Sequence, residues 1–385
     1  MTLPPPAVKD FLAEGWRLGE LWGYLQTGYF FILTTMDNMN VIDGRRSAMC
    51  RVAASGRKKR GGRKAAADVG FLATIDRQIA ELREQQLFGR ANGYLSARSS
   101  FGRFLAESGC GCRLESSQGD CGVDIMLSDV TAALISEYER WLRGNGVTRN
   151  TMSFYMRELR AVFNRAARKY GLVVENPFAD VYTGNDRTEK RNVNRTVVQR
   201  LINLDLSGSK GLEFAKDMFL FSFLTRGMPF VDIAYLRWSA IKGRTLTYCR
   251  HKTGQQIRQT LEPQAMKIIE RWHVPGSDMV FPILDATLDE ALLYRKYRSA
   301  LSLHNKRLRQ ISEKLGDDVH LTSYVARHTW ATLAWECDIP LFEISLALGH
   351  TSERTTRIYL DTMKYSRLDR HCRRVAKKFR FNSMQ

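Results

Sequence analysis

Three observations in the 385-residue sequence predict a mainly α chain with a small β-hairpin, arranged as two domains. Apolar residues recur at spacings of three and four through much of the stretch from Val69 to Arg168, the period of an amphipathic helix. One region alternates instead: Thr245–His251 and Gln256–Leu261 flank a Lys-Thr-Gly-Gln turn and read as two strands of a hairpin. Between these regions lies the polar run Thr183–Asn192, which has the composition of a linker.

Taken in order, residues 1–67 show little pattern and end in Ser55-Gly-Arg-Lys-Lys-Arg-Gly-Gly-Arg-Lys64. This stretch is expected to be a disordered arm suited to phosphates or a minor groove; a solvated linker, or a start site placed too far upstream, are the other readings. Helices are expected around Leu72, Ile75, Ile79 and Leu82, around Leu95, Phe101, Phe104 and Leu105, and from Asp129 to Leu142, where Gly144 and Gly146 end the pattern. The segment Thr148–Arg168 is the clearest helix. Met152, Tyr155, Leu159, Val162, Phe163 and Ala166 form one face, with Arg149, Arg157, Arg160 and Arg168 elsewhere on the helix. Asn176-Pro177-Phe178 ends this first domain.

Composition narrows the partners. Fifty-nine Lys and Arg against 40 Asp and Glu give a formal net charge of +19 and a pI near 9.8, a balance that favours nucleic acid and makes binding salt-sensitive. No run of eighteen uncharged apolar residues occurs and the start lacks the order of a secretory signal, so a cytosolic protein with no membrane partner is expected. Seven cysteines, an odd number, read as free thiols in a reducing compartment. Cys110, Cys112 and Cys121 cluster and could offer three thiolates to zinc. Their spacing fits no common finger and lacks a nearby fourth ligand, so a loop with incidental cysteines and no metal is the expectation.

The chemistry is carried by five residues from separate parts of the second half. They are Arg226 in Phe-Leu-Thr-Arg-Gly-Met-Pro-Phe, Lys252 at the hairpin turn, Arg327 in Ser-Tyr-Val-Ala-Arg-His-Thr-Trp, His350 in Leu-Gly-His, and Tyr359 nine residues later. A phosphodiester in transfer gathers negative charge on its non-bridging oxygens, and guanidinium forks suit two of those oxygens at once. Arg226 and Arg327 can clamp the phosphate from two sides while His350 adds a donor of adjustable charge. Tyr359 can then attack as a nucleophile, with Lys252 on a hairpin tip placed to protonate the leaving oxygen.

This order resembles the tyrosine recombinase family, the phage integrases. Their catalytic domains read arginine, lysine in a β-hairpin, a His-x-x-Arg box, Gly-His, and a tyrosine nine residues after that histidine. The resemblance spans about residues 195–375. It implies a helical core-binding domain and a mixed α/β catalytic domain, divided as 1–67 extension, 68–180 core DNA-binding domain, 181–194 linker, 195–375 catalytic domain and 376–385 basic tail. It also implies a site-specific recombinase or integrase that makes a covalent 3′-phosphotyrosine without any cofactor or metal and works as a homotetramer on paired duplex sites. Room is left for an accessory protein that bends the DNA. Arg149, Arg157 and Arg160 become DNA-binding candidates, and the segment after Tyr359 a candidate for docking on a neighbouring protomer. Tyr365 misses the spacing and reads as packing.

Two departures from the pattern stand out. Tyr324 occupies the first place of the His-x-x-Arg box, and a phenol of pKa about 10 is a poor base at neutral pH, so Tyr324 is expected to position phosphate. Gly-Met-Pro after Arg226 delays the family's acidic residue by three positions to Asp232, which reads either as a buttress for Arg226 or as a helix-start carboxylate. A topoisomerase of the same chemistry and a decayed DNA-binding regulator of the same fold are the competing functions.

Overall fold

The computed structural model describes residues 69–110, 112–115, 121–172, 175–186, 192–316, 318–350, 352–353, 356–357 and 372–373, with the backbone alone at 112–115 and 121–122. The basic run 55–64 with the rest of 1–67, the nucleophile candidate Tyr359, Tyr365 and the tail 376–385 lie outside the described residues. Among the described residues no helix is long and apolar enough to cross a membrane.

The first half contains α1 (Phe71–Glu84), α2 (Phe88–Ser108), β1 (Cys112–Glu115), β2 (Cys121–Asp124), α3 (Ala132–Gly144) and α4 (Arg149–Tyr170). Its three-four spacing becomes buried stripes: Phe71, Leu72, Ile75, Ile79 and Leu82 of α1 meet Phe101, Phe104 and Leu105 of α2 and Met156, Leu159 and Phe163 of α4. Phe71 stands edge-on to Phe101 and Phe163 at 5.8 and 6.1 Å between centroids, an arrangement aromatic quadrupoles favour. Tyr138 joins them and donates its hydroxyl to Ser100 Oγ at 2.8 Å. Asp124, at the end of β2, takes the otherwise orphaned Leu72 and Ala73 amides at 2.8 and 3.0 Å, and so caps α1 from a distant part of the chain.

Two local readings change. The third helix starts at Ala132, because Leu127–Asp129 forms its own short 3-10 turn and the Thr131 hydroxyl caps by accepting from Leu134 N. The cysteine-rich stretch contains a hairpin: β1 and β2 pair antiparallel, with Cys112 opposite Asp124 and Glu115 opposite Cys121. Among the described residues no group of three or more His, Cys, Asp and Glu could hold a metal ion.

The described start of the linker is tied down. Tyr182 lies under the Arg149 guanidinium at 3.9 Å, Asp186 pairs with Arg149 at 3.4 Å and accepts from Tyr182 at 2.6 Å, and Asn150 holds the Asp186 backbone in both directions. Arg157 donates to Asn185 and Arg160 to Thr183. The same arginines proposed for DNA thus also hold residues 182–186 on α4.

The second half contains α5 (Arg195–Asn203), α6 (Lys210–Leu224), α7 (Phe230–Ala234), β3 (Ile241–Lys242), β4 (Thr245–Cys249), β5 (Gln256–Thr260), α8 (Pro263–Trp272), α9 (Glu290–Leu315), α10 (Val325–Glu336) and α11 (Leu341–Leu348). Helix α6 is apolar on several sides, and α8, α9 and α10 pack around its buried Met218, Phe219 and Phe221. The sheet runs β3-β4-β5, antiparallel throughout, and Cys249 pairs with Gln256 where the alternation places the hairpin. Between the halves, Asn92 donates to the Tyr294 hydroxyl at 3.2 Å and Phe88 stacks on the same ring at 5.6 Å.

His304 of α9 is buried and stacked on Phe230 at 4.4 Å, and its Nδ1 has no hydrogen-bond partner among the described residues. Burial, aided by Arg307, pulls its pKa down to about 3. The unfolded chain therefore takes up a proton near pH 6.5 that the folded chain refuses. Stability is fully present above that pH and lost as pH falls towards the folded value, by about 1.4 kcal/mol per unit. Urea melts should show His304→Leu at least as stable as wild type at pH 7 and visibly less acid-sensitive at pH 5; equal acid slopes would exclude His304 as the source.

Candidate active site

Two helix ends and one hairpin tip build the site. Helix α6 stops at Thr225, whose hydroxyl bonds back to Phe221 O at 2.6 Å, and the chain then turns through two left-handed residues, Arg226 with φ 58° and Gly227 with φ 74°. A left-handed arginine is uncommon and costs about 1–3 kcal/mol, which the turn recovers in part by bonding Gly227 N to Ser222 O and Ser222 Oγ to Met228 O. Gly227 has no freedom to carry a side chain: a Cβ would lie 2.7 Å from Arg327 Cα.

Arg327 is the centre. It is 2% exposed on α10, and its guanidinium donates to Gly227 O at 2.9 Å and to Leu348 O at 2.5 Å, with Nη2 3.0 Å from His350 Nε2. Helix α11 ends at Gly349 in the left-handed region, φ 62°, which turns the chain so that His350 faces back into the site. The ring of His350 bonds through Nδ1 to the Thr356 hydroxyl at 2.7 Å. Burial, then Arg327, Arg250 and Lys252, bring its pKa down to about 4, so it is neutral at physiological pH.

The hairpin tip carries Lys252 exposed and Arg250 buried. Arg250 Nη1 donates to Leu348 O at 3.1 Å and Gly349 O at 2.7 Å, so Arg327 and Arg250 share one carbonyl. Asp232 lies in the first turn of α7, as the helix-start reading has it. Its carboxylate serves the hairpin: Oδ1 accepts from His251 N at 2.9 Å and lies 3.3 Å from His251 Nδ1, and Oδ2 is 3.9 Å from Arg250 Nε. A buried carboxylate offsets the buried Arg250 charge, and removing either would leave the other without its counter-charge.

Of the sequence candidates, Arg327, His350 and the Asp232-bound hairpin with Lys252 come together here. Arg226 adjoins Arg327 through Gly227 and lines a groove with Ile257, Arg258, Trp330, Glu343 and Leu346. Tyr324 is 45% exposed at the start of α10, its ring edge-on to His328 at 4.8 Å. Arg149, Arg157 and Arg160 lie on α4 in the other half. Sequence reasoning missed Arg250, Gly227 and Thr356. Arg250 was passed over as a charged neighbour of Lys252, and nothing in the sequence marks Thr356 apart from Thr351 or Thr355.

Comparisons with known proteins agree with this architecture. Residues 192–365 match the model of the phage integrase family, and residues 70–187 that of the phage integrase SAM-like domain. No curated protein matches the chain by sequence. Among solved structures, a lambda integrase dimer bound to a COC′ core site matches with a TM-score of 0.52 at 15% identity, covering 82% of this chain and 100% of that one. The Tn1549 transposon integrase in complex with transposon right end DNA matches at 0.53 and 13%, covering 80% and 100%. A lambda integrase tetramer bound to a Holliday junction matches at 0.51 and 16%, covering 76% and 78%.

Gly227→Ala should lower stability by about 3 kcal/mol, the sum of left-handed strain and a forced shift of Arg327. Urea denaturation checks this. A loss below about 1 kcal/mol would mean that the α6 turn does not hold against Arg327 as described.

Proposed function

This chain belongs to the phage integrase family, the tyrosine recombinases, and we propose that it is a site-specific DNA strand transferase in which Tyr359 forms the covalent 3′-phosphotyrosine. The observation that carries the reading is the convergence of Arg327, His350 and the hairpin bearing Lys252 within one basic site, in the chain order that ends at Tyr359.

The proposed steps follow from the donors. Arg226 and Arg327 hold the two non-bridging oxygens, and Arg327 exchanges backbone carbonyls for phosphate as DNA enters, gaining charge-assisted bonds in place of neutral ones. The Tyr359 oxygen attacks phosphorus and its proton leaves to water; Tyr324 positions phosphate. The bond to the 5′ oxygen breaks, and that oxygen takes a proton from Lys252. The 5′ hydroxyl of a partner strand then reverses these steps and frees the tyrosine. No cofactor enters.

The helical half would serve as the core-binding domain, Arg149, Arg157 and Arg160 offering phosphate contacts beside the bonds they make to 182–186. The core site and the transposon end DNA bound by the two matched integrases support DNA as substrate, and the lambda dimer and tetramer support a homotetramer on paired sites. An accessory protein that bends the sites is a further partner to seek. A strand transferase of this kind works in the bacterial cytoplasm on the nucleoid.

Incubation with a nicked, labelled duplex from its own element's ends, in chelator, tests the reading. Wild type should give a covalent band on denaturing gels that Tyr359→Phe lacks. Lys252→Ala should slow its formation by about 10²–10³-fold and recover on a substrate with sulfur at the 5′ bridging position, since a thiolate leaves without a proton. A sequence-specific native shift with no covalent band would point to a decayed regulator. Relaxation of supercoils without synapsis would point to a topoisomerase.

A further inference from the structure

Thr356 was not among the site residues read from the sequence, yet it makes one of the closest polar contacts in the site. Its side chain is fully buried, and its hydroxyl lies 2.7 Å from His350 Nδ1. On the other side of the ring, Nε2 lies 3.0 Å from Arg327 Nη2. A guanidinium has donors only, so in this pair Nε2 must be the acceptor and the proton must sit on Nδ1. The Thr356 hydroxyl is then the acceptor for Nδ1–H. The opposite tautomer would set an imidazole N–H against a guanidinium N–H and leave Nδ1 with the lone pair.

We propose that Thr356 is a positioning residue for strand cleavage: its hydroxyl holds the Nδ1 proton of His350, fixes the ring in one tautomer and orientation, and keeps Nε2 turned to Arg327 and the phosphate. This rests on the strand-transfer reading above. When phosphate arrives, Nε2 must change from acceptor to donor, and it does so by taking one proton from solvent. Thr356 accepts from Nδ1 before and after that step, so the ring charges without turning. Among the described residues, burial and the cations Arg327 from α10 and Arg250 and Lys252 from the hairpin hold the ring neutral before phosphate offsets them. The position is fitting as well: Thr356 stands three residues before Tyr359, so one short segment carries both the nucleophile and the contact that sets its histidine.

The test compares Thr356→Val, which keeps the shape and removes the acceptor, with Thr356→Ser, which keeps the acceptor. Thr356→Val should slow covalent-complex formation on the nicked duplex by about tenfold or more while its duplex affinity stays within about twofold, and Thr356→Ser should recover most of the rate. Histidine-selective 15N spectra at pH 7, with His350 assigned through His350→Gln, should show the Nδ1-protonated tautomer in wild type and Thr356→Ser and a mixture in Thr356→Val. A wild-type rate in Thr356→Val would overturn the proposal. So would equal slowing by Val and Ser, which marks packing, or a parallel loss of duplex binding. If wild type forms no covalent complex, the strand-transfer reading fails, and the 15N tautomer still decides whether Thr356 holds the ring.

Discussion

The buried guanidinium of Arg327 is the constraint from which the rest of the catalytic half follows. A charge taken out of water must be surrounded by acceptors, and here they come from carbonyls at two chain turns, Gly227 just past the end of α6 and Leu348 at the end of α11. Helix C-termini are well suited to this, because their last carbonyls lack intrahelical partners and carry the negative end of the helix dipole. Leu348 O is such a carbonyl, whereas Gly227 O is brought inward by the turn that follows α6. That explains why the left-handed residues Arg226, Gly227 and Gly349 cluster around one side chain.

The same construction stores positive charge at the site before any anion arrives. Arg327 and Arg250 donate to one carbonyl, Lys252 lies on the same hairpin, and Asp232 is the carboxylate placed among them. Among the described residues, repulsion among the cations is tempered by backbone oxygens and the Asp232 carboxylate, which leaves net positive charge for the phosphodiester of the proposed reaction. His350 stays neutral in this field and so adds no further repulsion to the free state. The +19 charge of the whole chain extends the attraction outwards, where salt screens it.

Much of this was legible in the sequence because it depends on period or spacing. The hairpin appears where Thr245–His251 and Gln256–Leu261 alternate, and α4 starts after Thr148 with its apolar face on Met152, Leu159 and Phe163. What was not legible depends on contacts between distant segments. Asp232 looks like a partner for the nearby Arg226, and only the fold brings the hairpin tip against it. Arg250 and Lys252 are cations two residues apart in sequence, one buried and one exposed. The run 183–186 has a linker's composition, yet it pairs with arginines that an amphipathic reading assigns wholly to solvent or DNA.

Those pairings limit how the two halves can move. Asp186 is fixed to Asn150 and Arg149 on α4, and the chain is fixed again at Val193, whose amide donates to the buried Thr329 hydroxyl at 3.1 Å. Residues 187–192 alone span the gap, a reach of at most about 25 Å when fully extended. The second anchor is on α10, two residues beyond Arg327 and so on the same rigid helix. The two anchors therefore lie on α4 of the helical half and on α10, the helix that carries the central guanidinium. That second anchor is a hydrogen bond from the Val193 amide to a buried side chain, the Thr329 hydroxyl, so the segment meets the Arg327 helix at a side chain one half-turn from the guanidinium's own position.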